Sequence, residues 1–269
     1  AATMAPSNTD WKFGLADTFL KQERYPEAIS LFDVLIKLQP ARADLYLAQG
    51  DAYARVGKPM KAIQNLEFVD SLGGSTVGSL LTLGNNYANE KLFDQAVSAF
   101  LRALALDEET PLDPILEAAN FLIFNEALEA AEQLTAGIEQ VRGDSLTKEE
   151  RREVFRARSR IAIVAGDAAA AAVELEKIVA ESPLDGDALV RLGEHYRNEK
   201  DIASARNRLE RAAELADFEA RAKTLLGQIY VDEGKDLQTA LKYLRRAQEL
   251  TPSDALQAYI DYVIKLAKG

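Results

Sequence analysis

Apolar residues recur along most of the chain three and four positions apart, with polar and charged residues between them. One stretch carries Leu45, Ala48 and Ala52, and the next carries Ala62 and Leu66. This spacing places apolar side chains on one face of an α-helix. Turns containing glycine or proline separate the stretches, and no segment alternates with the period of a strand. The pattern predicts an all-α chain of paired amphipathic helices.

The helix pairs repeat at a constant distance, since Ala28, Ala62, Ala96 and Ala130 lie 34 residues apart. Three more columns share this period: Phe19, Tyr53, Tyr87 and Phe121; Ala16, Gly50, Gly84 and Ala118; Phe32, Leu66, Phe100 and Leu134. After seven extra residues the alanine column resumes at Ala171, Ala205 and, one residue late, Ala240. We count seven units. We expect the small residues to permit close helix approach and the aromatic residues to fill the gaps between pairs.

The best-formed unit reads Leu80-x2-Leu83-Gly84-x2-Tyr87, followed by Ala96-x3-Phe100. This motif resembles that of the tetratricopeptide repeat family. The resemblance covers about residues 9–254. It implies a right-handed α-solenoid, a TPR-like superhelix in which stacked antiparallel helix pairs share one continuous core. The fourth and fifth units depart from the motif, because Glu117 and Arg158 replace its leucine.

The insertion suggests a division of the chain. We expect a flexible lead at 1–8, an N-terminal lobe of four repeats at 9–144, a joint at 145–151, a C-terminal lobe of three repeats at 152–254 and a capping helix at 255–269. Thr147 and Glu150 have the spacing of a capping box, which predicts an early start for the helix after the joint. Ser253 or Asp254 is the predicted N-cap of the last helix.

Charge and composition restrict the partners. Lys and Arg number 32 against 43 Asp and Glu, a net charge of −11 that disfavours nucleic acid and anionic lipid. No apolar stretch is long enough to insert directly into a membrane. The chain opens with Ala1 instead of methionine, so we expect a trimmed soluble protein, cytoplasmic or periplasmic. Almost all of the excess negative charge belongs to residues 1–144, whose net charge is −10.

Candidate chemistry is sparse. The chain has no cysteine and one histidine, His195, so neither a zinc site nor a nucleophile–histidine pair has enough ligands or partners. No phosphate-binding, dinucleotide-binding or hydrolase motif is present. We therefore predict a protein that is not an enzyme and uses no cofactor or metal.

The family resemblance implies that the first helix of each pair lines a concave face on which peptides bind. Residues predicted for that face form a candidate groove: Phe13, Asp17, Leu47, Asp51, Leu81, Asn85, Asn89 and Ile115. Its apolar side chains and flanking carboxylates and amides suit an extended or helical peptide. The alternative is that these apolar residues are partly buried between neighbouring helices and bind nothing.

A second candidate surface is the arginine patch of Arg156, Arg160, Arg191 and Arg197, which suits a carboxylate. The alternative is that Arg152, Arg156 and Arg160 form surface pairs with Glu149, Glu150 and Glu153. The family's carboxylate clamp in the first repeats is not expected, because Phe13, Asp17, Ala48, Gly78 and Thr82 occupy its positions.

Two functions remain open on this evidence. The first is a non-catalytic scaffold that binds a protein or peptide, with a homo-oligomer also open. The second is an accessory lobe of a larger enzyme or of a secretion or assembly machine.

Overall fold

The computed structural model describes residues 9–234 and 236–268, and across them it contains fifteen α-helices and no strand. The helices are α1 (Thr9–Lys21), α2 (Tyr25–Leu38), α3 (Ala43–Arg55), α4 (Pro59–Ser71), α5 (Val77–Asn89), α6 (Phe93–Leu106), α7 (Asp113–Phe124), α8 (Leu128–Arg142), α9 (Lys148–Ala165), α10 (Ala168–Glu181), α11 (Gly186–Asn198), α12 (Ile202–Ala213), α13 (Glu219–Glu233), α14 (Leu237–Leu250) and α15 (Asp254–Leu266). The all-α prediction is confirmed. The predicted lead at 1–8 lies outside the described residues.

The helices form two compact units, residues 1–146 and 147–269. The first unit contains four helix pairs, and the second contains three pairs followed by α15. Within each unit the two helices of a pair pack together, and most second helices also pack on the first helix of the following pair. An isolated pair would leave one apolar face in water, so stacking is what buries these faces.

Small residues set the distance between paired helices. A Cβ added to Gly84 would lie 2.8 Å from the Phe100 ring, and one added to Gly193 would lie 2.5 Å from Leu209. Phe100 and Leu209 are completely buried. The predicted role of the small-residue column is therefore confirmed: each glycine lets a large core side chain reach the backbone of the facing helix.

Hydrogen-bonded caps fix where several helices begin. The predicted capping box is confirmed at α9, where Thr147 accepts from the backbone of Glu150 and the Glu150 side chain accepts from the backbone of Thr147. Residues 148–151 of the predicted joint form the first turn of this helix, which has 18 residues. The inserted residues therefore lengthen a helix. Ser253 caps α15, whose buried Ile260 packs with Leu244.

The fourth pair packs differently from its neighbours. Helix α6 of the preceding pair packs against the second helix α8, where Gly137 lies against Leu101, and α7 lies beside α5. In α7 the buried face is displaced, so that Ala119 is completely buried and Phe121 is 37% exposed. The prediction that Phe121 fills a gap between pairs is therefore wrong. A carboxylate explains the shift, because Glu117 replaces the leucine that faces the core in α5 and stays in water only if α7 presents another face.

Close packing at Gly193 makes it intolerant of a side chain. We expect Gly193→Ala to lower the free energy of unfolding by about 1–3 kcal/mol, because the fully buried Leu209 has no room to move. Gly14 is the matched control, since a Cβ there meets nothing within 4 Å. Gly14→Ala should raise stability by about 0.5–1 kcal/mol through helix propensity. Urea denaturation measures both, and equal effects of the two substitutions would contradict the packing argument.

Candidate protein-binding surfaces

The central residues of the candidate groove lie on two adjacent first helices. Leu47 and Asp51 belong to α3, Leu81 and Asn85 belong to α5, and these helices contact each other. Both leucines are half-buried, while Asp51 and Asn85 are exposed one turn further along. The surface of α3 and α5 therefore combines partly accessible apolar side chains with accessible polar ones, as a peptide-binding surface requires.

Two asparagines provide unused hydrogen-bonding groups. Asn85 and Asn89 are exposed and line a cleft of about 430 Å³ between α5 and α7, the α5–α7 cleft. Among the described residues, neither side-chain amide makes a hydrogen bond. The neighbouring Asn86 is buried and donates to the Thr82 carbonyl at 2.7 Å. Asn85 and Asn89 thus have donors and acceptors free for a peptide backbone.

The groove residues on α1 are used within the fold. The rings of Phe13 and Phe32 are in edge-to-face contact, with centroids 6.3 Å apart. The Arg42 guanidinium lies 5.2 Å from the centroid of the Phe13 ring. Asp17 forms an ion pair of 2.8 Å with Lys21. Phe13 therefore supports the core at the end of the first unit, and α1 contributes less accessible chemistry than α3 and α5.

Ile115 is a correction to the candidate groove. Its side chain is completely buried because of the displaced burial face of α7, so it cannot contact a ligand. The same displacement exposes Glu117, Phe121 and Phe124, none of which was predicted as a groove residue. The apolar stripe of α7 itself, with Ile115, Ala119 and Leu122 on one face, was the signal that could have revealed this.

Three members of the arginine patch meet in one place. Arg156, Arg160 and Arg191 line a cleft of about 320 Å³ between α9 and α11, the arginine cleft. Arg156 pairs with Asp185 and lies 3.1 Å from Glu153, and Arg191 donates to Asp187 at 2.8 Å. Arg160 makes no ion pair or hydrogen bond within the described ranges. It is the cation in this cleft that remains available to an anionic ligand.

Arg197 does not join the arginine cleft. Its guanidinium donates to Asp232 at 2.6 Å and to Gln228 at 2.7 Å, both on α13. The surface-pair interpretation is confirmed for Arg152, which pairs with Glu149, and for Arg156, which pairs with Glu153. Spacing along the sequence predicts the ion pairs within α9, but it does not predict the contacts that Arg197 makes with α13.

Asp51 and Tyr87 are among the groups of the first unit whose pKa values are shifted. Partial removal from water raises the pKa of Asp51, and the nearby Arg55 opposes this rise. Desolvation, followed by a hydrogen bond of 2.5 Å to Glu67, raises the pKa of the Tyr87 hydroxyl. Asp51 makes no ion pair or hydrogen bond among the described residues, so its carboxylate is both desolvated and open to a cationic ligand.

The described residues contain neither a cluster of metal-ligating side chains nor a membrane-spanning helix. Within residues 9–234 and 236–268, no group of three or more His, Cys, Asp or Glu side chains is placed to hold a metal ion. The same residues include no helix with both the length and the apolar character needed to span a bilayer.

The fold and these surfaces define a helical repeat protein built from stacked pairs. Tetratricopeptide repeat family models match residues 1–43, 77–110, 162–229 and 220–254, in both units. The chain belongs to the tetratricopeptide repeat family. This family is generally a non-catalytic fold that binds proteins or peptides.

Solved structures share the fold at low sequence identity. The C-terminal part of a TPR repeat-containing protein from Cytophaga hutchinsonii has a TM-score of 0.60 and 16% identity, covering 91% of this chain and 98% of that one. Pseudomonas aeruginosa pilF has a TM-score of 0.50 and 19% identity, over 82% and 96%. A structure of Naa15/Naa10 bound to HypK-THB has a TM-score of 0.62 and 15% identity, over 95% and 39%. No curated protein sequence matches the chain.

The raised pKa of Asp51 predicts that this residue lowers the free energy of unfolding by an amount that depends on pH. Ionised Asp51 is less favourable in the folded chain than in the unfolded one, so this cost exists at neutral pH and disappears as pH falls through its pKa. We expect Asp51→Asn to raise the free energy of unfolding at pH 7 by no more than about 1 kcal/mol, because solvent screens an exposed side chain. Urea denaturation at pH 7 and below pH 4 measures this. An equal gain at both pH values would contradict it.

Proposed function

We propose that the chain is a non-catalytic binding module that holds an extended segment of a protein partner on the surface of α3 and α5. The supporting observation is that α5 carries the free amides of Asn85 and Asn89 and the half-buried Leu81, while the adjacent α3 carries the half-buried Leu47. Amides pair with a peptide backbone, and partly exposed leucines pack against its alternate side chains. The family resemblance supports this proposal, because it implies that the first helices of the pairs line a concave face.

The arginine cleft of the second unit is a separate candidate contact for a protein partner. Arg160 is exposed and makes no ion pair or hydrogen bond with a described residue. The guanidinium group forms strong bidentate hydrogen bonds with carboxylates. We propose that this cleft accepts an acidic side chain or a chain terminus of the partner.

Selected peptides can test the main proposal. Short random peptides displayed on phage would be selected on the full chain, and their affinities measured by fluorescence anisotropy. We expect Leu47→Asp combined with Leu81→Asp to weaken binding about tenfold or more, because a carboxylate replaces each apolar contact. Asn85→Ala with Asn89→Ala is a second variant, since neither amide supports the fold. Arg160→Gln should weaken only those peptides that carry an acidic residue or a free carboxyl terminus.

A matched control separates this surface from general apolar stickiness. Leu38 and Leu72, 55% and 49% exposed, lie at the ends of the second helices α2 and α4. Leu38→Asp with Leu72→Asp should leave peptide affinity unchanged, with circular dichroism confirming the helical content of every variant. Peptides that lose affinity with the control pair and keep it with the groove variants would place binding on the second helices and refute the proposal.

A further inference from the structure

The α5–α7 cleft contains a carboxylate and an aromatic ring that the fold does not use. Glu117 and Phe121 line it together with Asn85 and Asn89, and the buried Ala88 and Ala118 form its base. Among the described residues, Glu117 makes no ion pair and no hydrogen bond. The cleft therefore presents an unpaired anion beside an exposed ring and two free amides.

Apolar exposure is unusually high at the edge of this cleft. Phe124 follows Phe121 by one helical turn and is 86% exposed, while Phe121 is 37% exposed. Both rings are in water because the apolar stripe of α7 occupies the opposite side of the helix. An exposed aromatic pair beside a polar cleft is typical of a binding surface.

The electrostatics of this region favour a cation. The first unit has a net charge of −10. Helix α5 ends at Asn89, so the partial negative charge of its C-terminus adds to that of Glu117 at the cleft. The face of an aromatic ring also attracts cations. Charge, the dipole of α5 and aromatic character thus indicate the same sign of ligand.

We propose that the α5–α7 cleft binds an arginine side chain of the protein partner. The guanidinium pairs with Glu117 and stacks on Phe121, while Asn85 and Asn89 hold the adjacent backbone. Arginine suits the site better than lysine, because its planar group forms paired hydrogen bonds with a carboxylate and stacks on a ring at the same time. This inference rests on the proposed function and adds the chemistry of the partner.

A minimal peptide tests the inference directly. The probe is acetyl-Gly-Ser-Arg-Ser-Gly-amide, titrated into the full ¹⁵N-labelled chain to about 5 mM, where weak single-residue recognition is measurable by NMR. Its comparison peptide carries citrulline, which has the shape of arginine without the charge. We expect saturable shifts of the Asn85 and Asn89 side-chain amide signals with the arginine peptide, and affinity about tenfold weaker with citrulline. Equal shifts with both peptides, or none with either, would overturn the inference.

Variants locate the charge that is recognised. Glu117→Gln should reduce affinity for the arginine peptide about tenfold while leaving the weak citrulline binding unchanged. Glu129→Gln, at an exposed position on α8, is the matched control and should change nothing. Loss of affinity in both variants would indicate long-range attraction to an acidic surface and refute a built site. If phage-selected peptides bind the groove but the arginine peptide does not, this inference fails and the proposed function stands; if neither binds, both fail.

Discussion

The structure depends on one constraint: each helix pair has more apolar surface than its two helices can cover. Burial of that surface requires the next pair, and each pair presents a regular surface for stacking only if its own two helices approach closely. Gly84 and Gly193 allow this approach within their pairs, because a large core side chain of the facing helix lies where each Cβ atom would be. The 34-residue period follows from this constraint, because each repeat must present small and large residues at the same positions to its neighbours.

The fourth pair shows the effect of a charged residue, Glu117, at the repeat position where α5 has a core leucine. A buried unpaired carboxylate is costly, so Glu117 excludes the usual burial face of α7. Helix α7 instead buries Ile115 and Ala119, and α8 packs on α6 with Gly137 against Leu101. The consequence is a surface with Glu117 and Phe121 facing the free amides of α5. A departure from the motif thus produces the most distinctive chemistry in the first unit.

Much of this was predictable from the sequence. Helical periodicity, the small-residue column and the Thr147 capping box all depend on local spacing, and the structure agrees with them. Reading columns across repeats assumes that every first helix presents the same face, which is why Ile115 was selected and Glu117 was not. The partners of Arg197 lie on another helix, and pairing between helices depends on side-chain directions that spacing within one helix does not contain.

The orientation of α7 is the central claim, and the absence of cysteine from the chain allows a direct measurement of it. Four single variants, Ile115→Cys, Glu117→Cys, Ala119→Cys and Phe121→Cys, would be treated with a maleimide under native conditions. We expect rapid labelling at positions 117 and 121, and labelling about 100-fold slower at positions 115 and 119, where a buried thiol reacts only after local opening. Rapid labelling at 115 and 119 with protection at 117 and 121 would show that α7 follows the regular repeat, and would contradict the account.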